Sequence, residues 1–367
     1  MVKTADAVIV GGGCVGTSAL FHLAALGTTN TVLLEASSLG SGSTSKAAGG
    51  IRMQHDDVVN TRLALRSLQE FTRFEQLTGT PIDFKQVGYL FLLDNDHDFA
   101  AFTRAAAAQR ELGIPTEILS IDAVREMVPQ IYVEDVVGAT FCPWEGFAAP
   151  EAVVQGYASA ARRLGAEIRV GSLVVEILTD GAGVSGVRLE GETISTRSVV
   201  IAAGVGSADL ARPLGFELPV HGEARTIFYS SQALGVPQSA PLVVDFSTGF
   251  YFHREGAGLV FAGRQSDPAE LSEPATHRLP AIAEASIESS WWGYYEMSPD
   301  HNAMIGQAPV AGLHYATGFS GHGFMQSPAV GEYLAETVRG ESTTLDLSSM
   351  TADRFVSGQH RTESFVI

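Results

Sequence analysis

The sequence predicts an α/β fold that opens on a parallel sheet, and three observations in the first 36 residues carry that reading. An apolar run, Ala7–Val10 (AVIV), ends in the glycine turn GGGCVG at 11–16. A helical stretch at 17–26 follows and stops at Gly27. A second apolar run, Thr31–Leu34 (TVLL), closes on Glu35. Continuously apolar strands joined by a helix form a parallel sheet covered on both faces.

Further along, a long helix is expected at about 58–77, with Leu65, Leu68, Phe71, Phe74 and Leu77 on one stripe and Gly79 as its stop. A strand is read at 87–93 and an Ala-rich helix at 99–112, halted by Gly113. A helix at 151–164 and a strand at 167–170 come next. Residues 173–203 alternate apolar and polar residues between glycine turns, a small β-meander closing on the apolar strand 199–203. The stretch 226–263 is strand-like and rich in aromatics. Near the C-terminus, GFSGHGFMQSPAVGEYLAE (318–336) reads as a glycine loop feeding a helix, with Ser327 as N-cap and Pro328 as first residue.

The length of 367 residues suits two domains or one large α/β unit. No repeat or Gly/Ser-rich linker separates two halves, so two domains would share strands. Lys+Arg number 23 against 41 Asp+Glu, a net charge of −18. An acidic surface disfavours nucleic acid, whose phosphates demand a basic face, and anionic lipid, which rewards basic clusters. Cys14 and Cys142 cannot form a disulfide framework, and neither has a neighbouring cysteine for metal or redox pairing. His221, His253, His301 and His314 show no metal-ligand spacing. With no apolar leader before the first glycines and no run of about 18 apolar residues, a soluble, cytoplasmic protein is expected.

The chemistry begins at Gly11-Gly12-Gly13-Cys14-Val15-Gly16, which fits G-x-G-x-x-G. Gly11 permits the tight turn, Gly13 lets backbone N–H groups approach a pyrophosphate, and Gly16 lets helix and strand pack closely. The helix N-terminus supplies free donors and a partial positive charge for that anion. Glu35, at the end of the next strand, can accept from both ribose hydroxyls and would repel a 2′-phosphate, which disfavours NADP. The fingerprint does not distinguish the other dinucleotides. Three later segments do: GSGSTSKAAGGIR (40–52), VVIAAG (199–204) and GFSGHGF (318–324).

With these segments the sequence resembles the D-amino-acid-oxidase superfamily of FAD enzymes, in particular the glycine oxidase and sarcosine oxidase group. The resemblance extends over nearly the whole chain, through EGFAAPEAVVQGYASAARRLGAEI and YEMSPDHNAMIG. This last segment is more similar to sarcosine dehydrogenase and to the β subunits of L-proline dehydrogenase and heteromeric sarcosine oxidase than to glycine oxidase. An NAD-dependent dehydrogenase would share the fingerprint but has no use for GFSGHGF.

The resemblance implies a discontinuous FAD-binding Rossmann-like domain from 1–82, 148–220 and 297–367. A mixed-sheet α+β substrate domain would comprise 83–147 and 221–296. It implies non-covalent FAD held by Gly11, Gly13, Cys14, Val15 and Gly16, by Glu35, Ala36 and Ser37, and by Ser43, Thr44, Ser45, Lys46, Gly49 and Gly50. Val174, Ala203 and Gly204 would join them, and so would Gly321, His322, Gly323, Phe324 and Met325. The helix after GHGF would aim its N-terminus at the flavin N1/C2=O edge and stabilise negative charge there. Arg52 is the candidate anchor for a substrate carboxylate, since a guanidinium offers a planar fork. Tyr251 and Tyr295 are candidate pocket walls, each a ring with a hydroxyl, and His322 a candidate flavin or substrate contact.

Several family positions differ here. Met325 stands where monomeric sarcosine oxidases carry a second carboxylate-binding lysine, and Val260 where they carry an oxygen-activating lysine. Gly293 stands near the position of the covalent flavin cysteine, and Tyr295 near that of the arginine of glycine oxidase. The implied activity is oxidation of the C–N bond of glycine or an N-substituted glycine, by hydride transfer to flavin N5 and hydrolysis of the imine. O2 or another acceptor takes the electrons. The resemblance accommodates a monomer, a homo-oligomer or a flavin subunit of a heteromer.

Overall fold

The computed structural model describes residues 3–265 and 267–367. Its first sheet has six strands, in the order Met304–Gln307, Leu313–Thr317, Val199–Ile201, Ala7–Val10, Thr31–Leu34, Glu167–Arg169. Only the first pair is antiparallel. Because successive side chains alternate across a strand, Ala7, Ile9 and Leu33 pack under the helices Cys14–Ala25, Pro150–Arg163 and Gly323–Arg339. Val8, Val10, Val32 and Leu34 pack on the other face against Val174, Ile177 and Val187 of the meander. The meander strands Val174–Asp180, Gly183–Leu189 and Glu192–Ser195 are antiparallel, with the short strand Lys3–Thr4 at their edge.

The second sheet has eight strands, in the order Ile287–Met297, His221–Ser230, Gly258–Ala262, Tyr251–Glu255, Leu242–Asp245, Tyr89–Leu93, Gly138–Cys142, Glu117–Leu119. It is antiparallel except where Leu242–Asp245 runs parallel to Tyr89–Leu93. Alternation divides the aromatic run at 250–253: Phe250 and Phe252 pack under the helices Ile121–Met127 and Pro268–Arg278, while Tyr251 faces the other way. A two-stranded ribbon, Gly50–Ile51 with Gly146–Phe147, ties the two halves together. Among the described residues no helix is long and apolar enough to cross a membrane.

Three sequence expectations need correction. The first helix begins at Cys14, inside the glycine turn, because Gly13 O already accepts Thr17 N at 3.0 Å and Thr17 Oγ1 at 2.9 Å. The helix expected at 58–77 is two, Val58–Phe71 and Phe74–Thr78, broken at Arg73. The break lets Phe74 bury edge-on against Tyr157 and leaves Leu77 exposed. Ser327 is not an N-cap: the last long helix starts at Gly323 and Pro328 lies inside it. Pro328 has no N–H for the Phe324 carbonyl, and the Ser327 hydroxyl supplies the missing donor at 2.9 Å.

Candidate active site

A cavity of about 1070 Å³ lies between the C-terminal ends of the parallel strands and the eight-stranded sheet. Its first wall is mostly backbone. Gly11, Gly13, Cys14 and Val15 line it at the start of the first helix, whose first turn offers N–H groups with no carbonyl one turn back. A Cβ on Gly13 would meet Thr44 Oγ1 at 3.1 Å, the same oxygen that accepts Cys14 N at 3.1 Å. The Cys14 thiol is buried, and burial raises its pKa. Glu35 lines the cavity with its carboxylate held by Gly12 N at 2.7 Å and Ser37 N at 2.8 Å. Each oxygen keeps a lone pair for a further donor.

Ala36, Ser43, Thr44, Lys46, Gly49, Gly50, Val174, Ala203 and Gly204 also line the cavity. Gly16, Ser37 and Ser45 do not. Gly16 sits beneath the turn, where a Cβ would strike the Gly11 carbonyl oxygen. Ser37 is exposed, and Ser45 N is tied back to Gly40 O at 2.9 Å. The loop at 321–325 contributes Gly321, His322, Gly323, Phe324 and Met325, so the N-terminus of the helix Gly323–Arg339 faces the cavity.

Side chains build the opposite wall. Tyr89, Tyr251 and Tyr295 line it, and burial raises all three hydroxyl pKa values. They remain protonated donors across the neutral range. Tyr295 packs on Gly321, where a Cβ would come within 2.6 Å of its ring. Trp291, Gly293 and Tyr295 share one face of the edge strand, and Trp291 Nε1 donates to Lys46 O at 3.2 Å. Trp292 and Tyr294 are exposed at the cavity rim.

Arg52 is 2% exposed and lines the cavity. Nη1 donates to Gln54 O at 2.5 Å, and Nη2 donates to Phe365 O at 2.6 Å and to His322 Nε2 at 2.8 Å. A guanidinium only donates, so Nε2 of His322 is the acceptor. Burial, with the Arg52 charge, lowers the His322 pKa well below its usual value and keeps the ring neutral. His55, edge-on to His322 at 4.9 Å, is held neutral by the same two causes.

Four residues of the cavity region escaped sequence reasoning. Tyr89 lines the cavity from the first position of its strand and Arg225 from the interior of its own, where alternation with Phe91 and Ile227 was the available signal. Glu296 lines it next to Gly204, and burial pushes its carboxyl up to about 7, although Thr317 Oγ1 donates at 2.9 Å and Gly318 N at 3.2 Å. Phe365 stacks on Phe102 with centroids 3.8 Å apart and brings its carbonyl to Arg52. Nothing in the local sequence marked it.

Residues 6–337 match the FAD dependent oxidoreductase family. The chain belongs to this family. Over 96% of its length it is 27% identical to the 4-methylaminobutanoate oxidase (formaldehyde-forming) of Paenarthrobacter nicotinovorans, of which the match covers 46%. Over the same share it is 28% identical to the mitochondrial sarcosine dehydrogenase of Mus musculus, with 42% of that protein covered. The chain thus spans about half the length of the curated relatives it matches. The crystal structure of L-proline dehydrogenase from P. horikoshii superimposes with a TM-score of 0.90 at 29% identity, covering 98% of this chain and 99% of that one.

The cavity of this FAD-dependent oxidoreductase fits its family's cofactor. At about 1070 Å³ it matches the largest small-molecule sites, and part of its lining is a glycine cradle at a helix N-terminus beside a strand-end carboxylate.

Proposed function

We propose that this chain oxidises the C–N bond of glycine or an N-substituted glycine, with a secondary amine such as sarcosine or an N-carboxymethyl amino acid preferred to glycine itself. The observation that carries the reading is the tyrosine wall set against the GHGF loop, inside the same cavity as the dinucleotide cradle. The names of the similar proteins support it, since methylaminobutanoate, sarcosine and proline are all secondary amines.

FAD, when bound, supplies N5 as acceptor for the hydride on the carbon next to nitrogen, leaving an imine that water hydrolyses to an amine and glyoxylate or another aldehyde. The residues of the chain do the rest. Glu35 and the 11–16 turn bind the dinucleotide half non-covalently, and Gly293 leaves no thiol on the strand above. Tyr89, Tyr251 and Tyr295 wall the reacting end with protonated hydroxyls, and neutral His322 adds no charge. Such a pocket favours the neutral amine, the form whose lone pair can expel hydride. Met325 adds apolar surface where the amine substituent would lie.

The division into an FAD part (1–82, 148–220, 297–367) and a substrate part (83–147, 221–296) belongs to the same proposal. It is supported by the six-stranded sheet and meander drawing their strands from the first set and the eight-stranded sheet from the second, apart from Met297.

A second reading assigns the electrons to an acceptor other than O2, in this chain alone or as a flavin subunit of a heteromer. Among the described residues Lys46 is the only lysine lining the cavity, and Val260 stands where the family resemblance places an oxygen-activating lysine. One experiment tests both. The purified yellow protein is mixed anaerobically with glycine, sarcosine, proline and bulkier N-substituted glycines, and the bleached flavin is then exposed to O2 or to a dye. Secondary amines should bleach it with higher kcat/KM than glycine, and an equal or better glycine refutes the preference. Slow reoxidation by O2 with fast reoxidation by dye selects the dehydrogenase.

A further inference from the structure

A carboxylated substrate needs a cation in the cavity, and three among the described lining residues offer one: Lys46, Arg52 and Arg225. Arg52 already donates from both Nη atoms to Gln54 O, Phe365 O and His322 Nε2. Arg225 is placed differently. It lies in the strand His221–Ser230, directly opposite Gly293, so no side chain stands across from it on the neighbouring strand. Its guanidinium carbon sits 5.2 Å from the centre of the Tyr295 ring. Nη1 is fixed by Glu223 Oε1 at 2.7 Å and Ala224 O at 3.1 Å. Nε is buried and has no hydrogen-bond partner.

We infer that Arg225 is the residue that binds the substrate carboxylate, through its Nε–Nη2 edge, with Tyr251 and Tyr295 beside it. The inference deepens and rests on the reading of the site as an amine-oxidising one. The physical case is the geometry of the fork. Two parallel N–H bonds from Nε and Nη2 match the two oxygens of a carboxylate. Glu223 occupies the far side of the guanidinium and so turns this edge away from itself. A buried, unpaired N–H is costly, and because Arg225 lines the cavity, a small turn of its guanidinium toward a bound carboxylate would give Nε the partner it lacks. Ile227 and Ala262, paired across adjacent strands, make the wall beside it apolar. The substrate class that fits is an amine carrying a carboxylate, with aliphatic carbon between the two groups.

The test uses the holoenzyme with Arg225→Gln, Arg225→Lys and Arg52→Gln. Propionate serves as a non-reacting carboxylate, read by the shift of the flavin spectrum and by calorimetry; sarcosine and its neutral amide serve as substrates. Arg225→Gln should raise the Kd of propionate and the KM of sarcosine by about tenfold or more, with FAD content and kcat within about threefold. Arg225→Lys should recover part of the loss, since it restores the charge without the fork. The KM of the amide should not move. If Arg225→Gln fails to hold FAD, Arg225→Lys carries the comparison.

Unchanged propionate binding in the Arg225 variants, with binding lost in Arg52→Gln, overturns the assignment in favour of Arg52. Equal losses for sarcosine and its amide overturn it as well. The two readings fail separately. A wild type bleached by amines but blind to propionate removes the anchor and leaves the oxidation. A wild type that binds propionate through Arg225 but is bleached by no amine removes the oxidation and leaves the anchor.

Discussion

The two walls of the cavity are built on opposite principles. The cradle on the parallel sheet is nearly all backbone: a glycine turn, the first turn of a helix, and one carboxylate clamped by Gly12 N and Ser37 N. The wall on the eight-stranded sheet is mostly side chain, gathered from strands as far apart in sequence as Tyr89, Arg225, Tyr251 and Tyr295. A backbone site tolerates no added atom but is indifferent to most neighbours. A side-chain site tolerates substitution structurally and changes what it binds. On the proposed reading the cradle holds the cofactor, while the opposite wall is free to specialise.

The contrast breaks most visibly at the cradle. Gly16→Val places a Cβ into the Gly11 carbonyl oxygen; either the turn or the helix must move, and the purified protein should carry almost no flavin per polypeptide. Full flavin content would mean that the turn is not the dinucleotide site. Next in size is Glu35→Ala. It removes two charge-assisted bonds that shape the turn and, on the proposed reading, the acceptor for ribose, at about 1.5–3 kcal/mol each. The Kd of FAD, titrated into apoprotein, should rise at least about tenfold, and an unchanged Kd would relocate the ribose contact.

On the opposite wall the expectation reverses. Tyr251→Phe keeps the ring and removes one neutral hydroxyl, worth about 0.5–1.5 kcal/mol. FAD content should stay full while kcat/KM for a secondary amine falls about three- to tenfold; loss of flavin instead would show that this wall also holds the cofactor.

The smallest effect sharpens the border between the walls, at Glu296. Its carboxyl is raised from 4.5 to about 7 by burial, so the folded state holds its proton more tightly than the unfolded one. Its stabilising contribution is present below about pH 4.5 and is lost as pH rises to about 7. Glu296→Gln cannot titrate. The melting temperature of wild type relative to Glu296→Gln should therefore fall by a few degrees, roughly, between about pH 5 and about pH 8. A difference that does not change with pH would place the carboxylate in water.

Much of the cradle was legible because its chemistry is local. The turn, the helix that follows it and Glu35 lie within 25 consecutive positions, 11–35, and each is set by contacts along the chain. Where reading failed locally, a neighbouring bond had overridden propensity: Ser327 gives its hydroxyl to Phe324 O instead of capping a helix, and the break at Arg73 buries Phe74 at the expense of Leu77. Tyr251 and Tyr295 were readable as candidate pocket walls, but only strand pairing showed that they and Trp291 turn toward the cavity while Phe250 and Phe252 turn away.

By itself, then, the sequence determined a parallel βαβ unit whose glycine turn and strand-end carboxylate stand together, since short-range spacing dictates backbone geometry. Tertiary structure alone decided which cation is engaged and which is open. Arg52 is occupied because Phe365, 313 positions away, brings a carbonyl to it. Arg225, paired with Gly293 on a strand that returns 68 residues later, has its Nη1 taken by Glu223 and its Nε unpaired. Contacts at such separations depend on how the sheet closes, and no spacing along the chain encodes them.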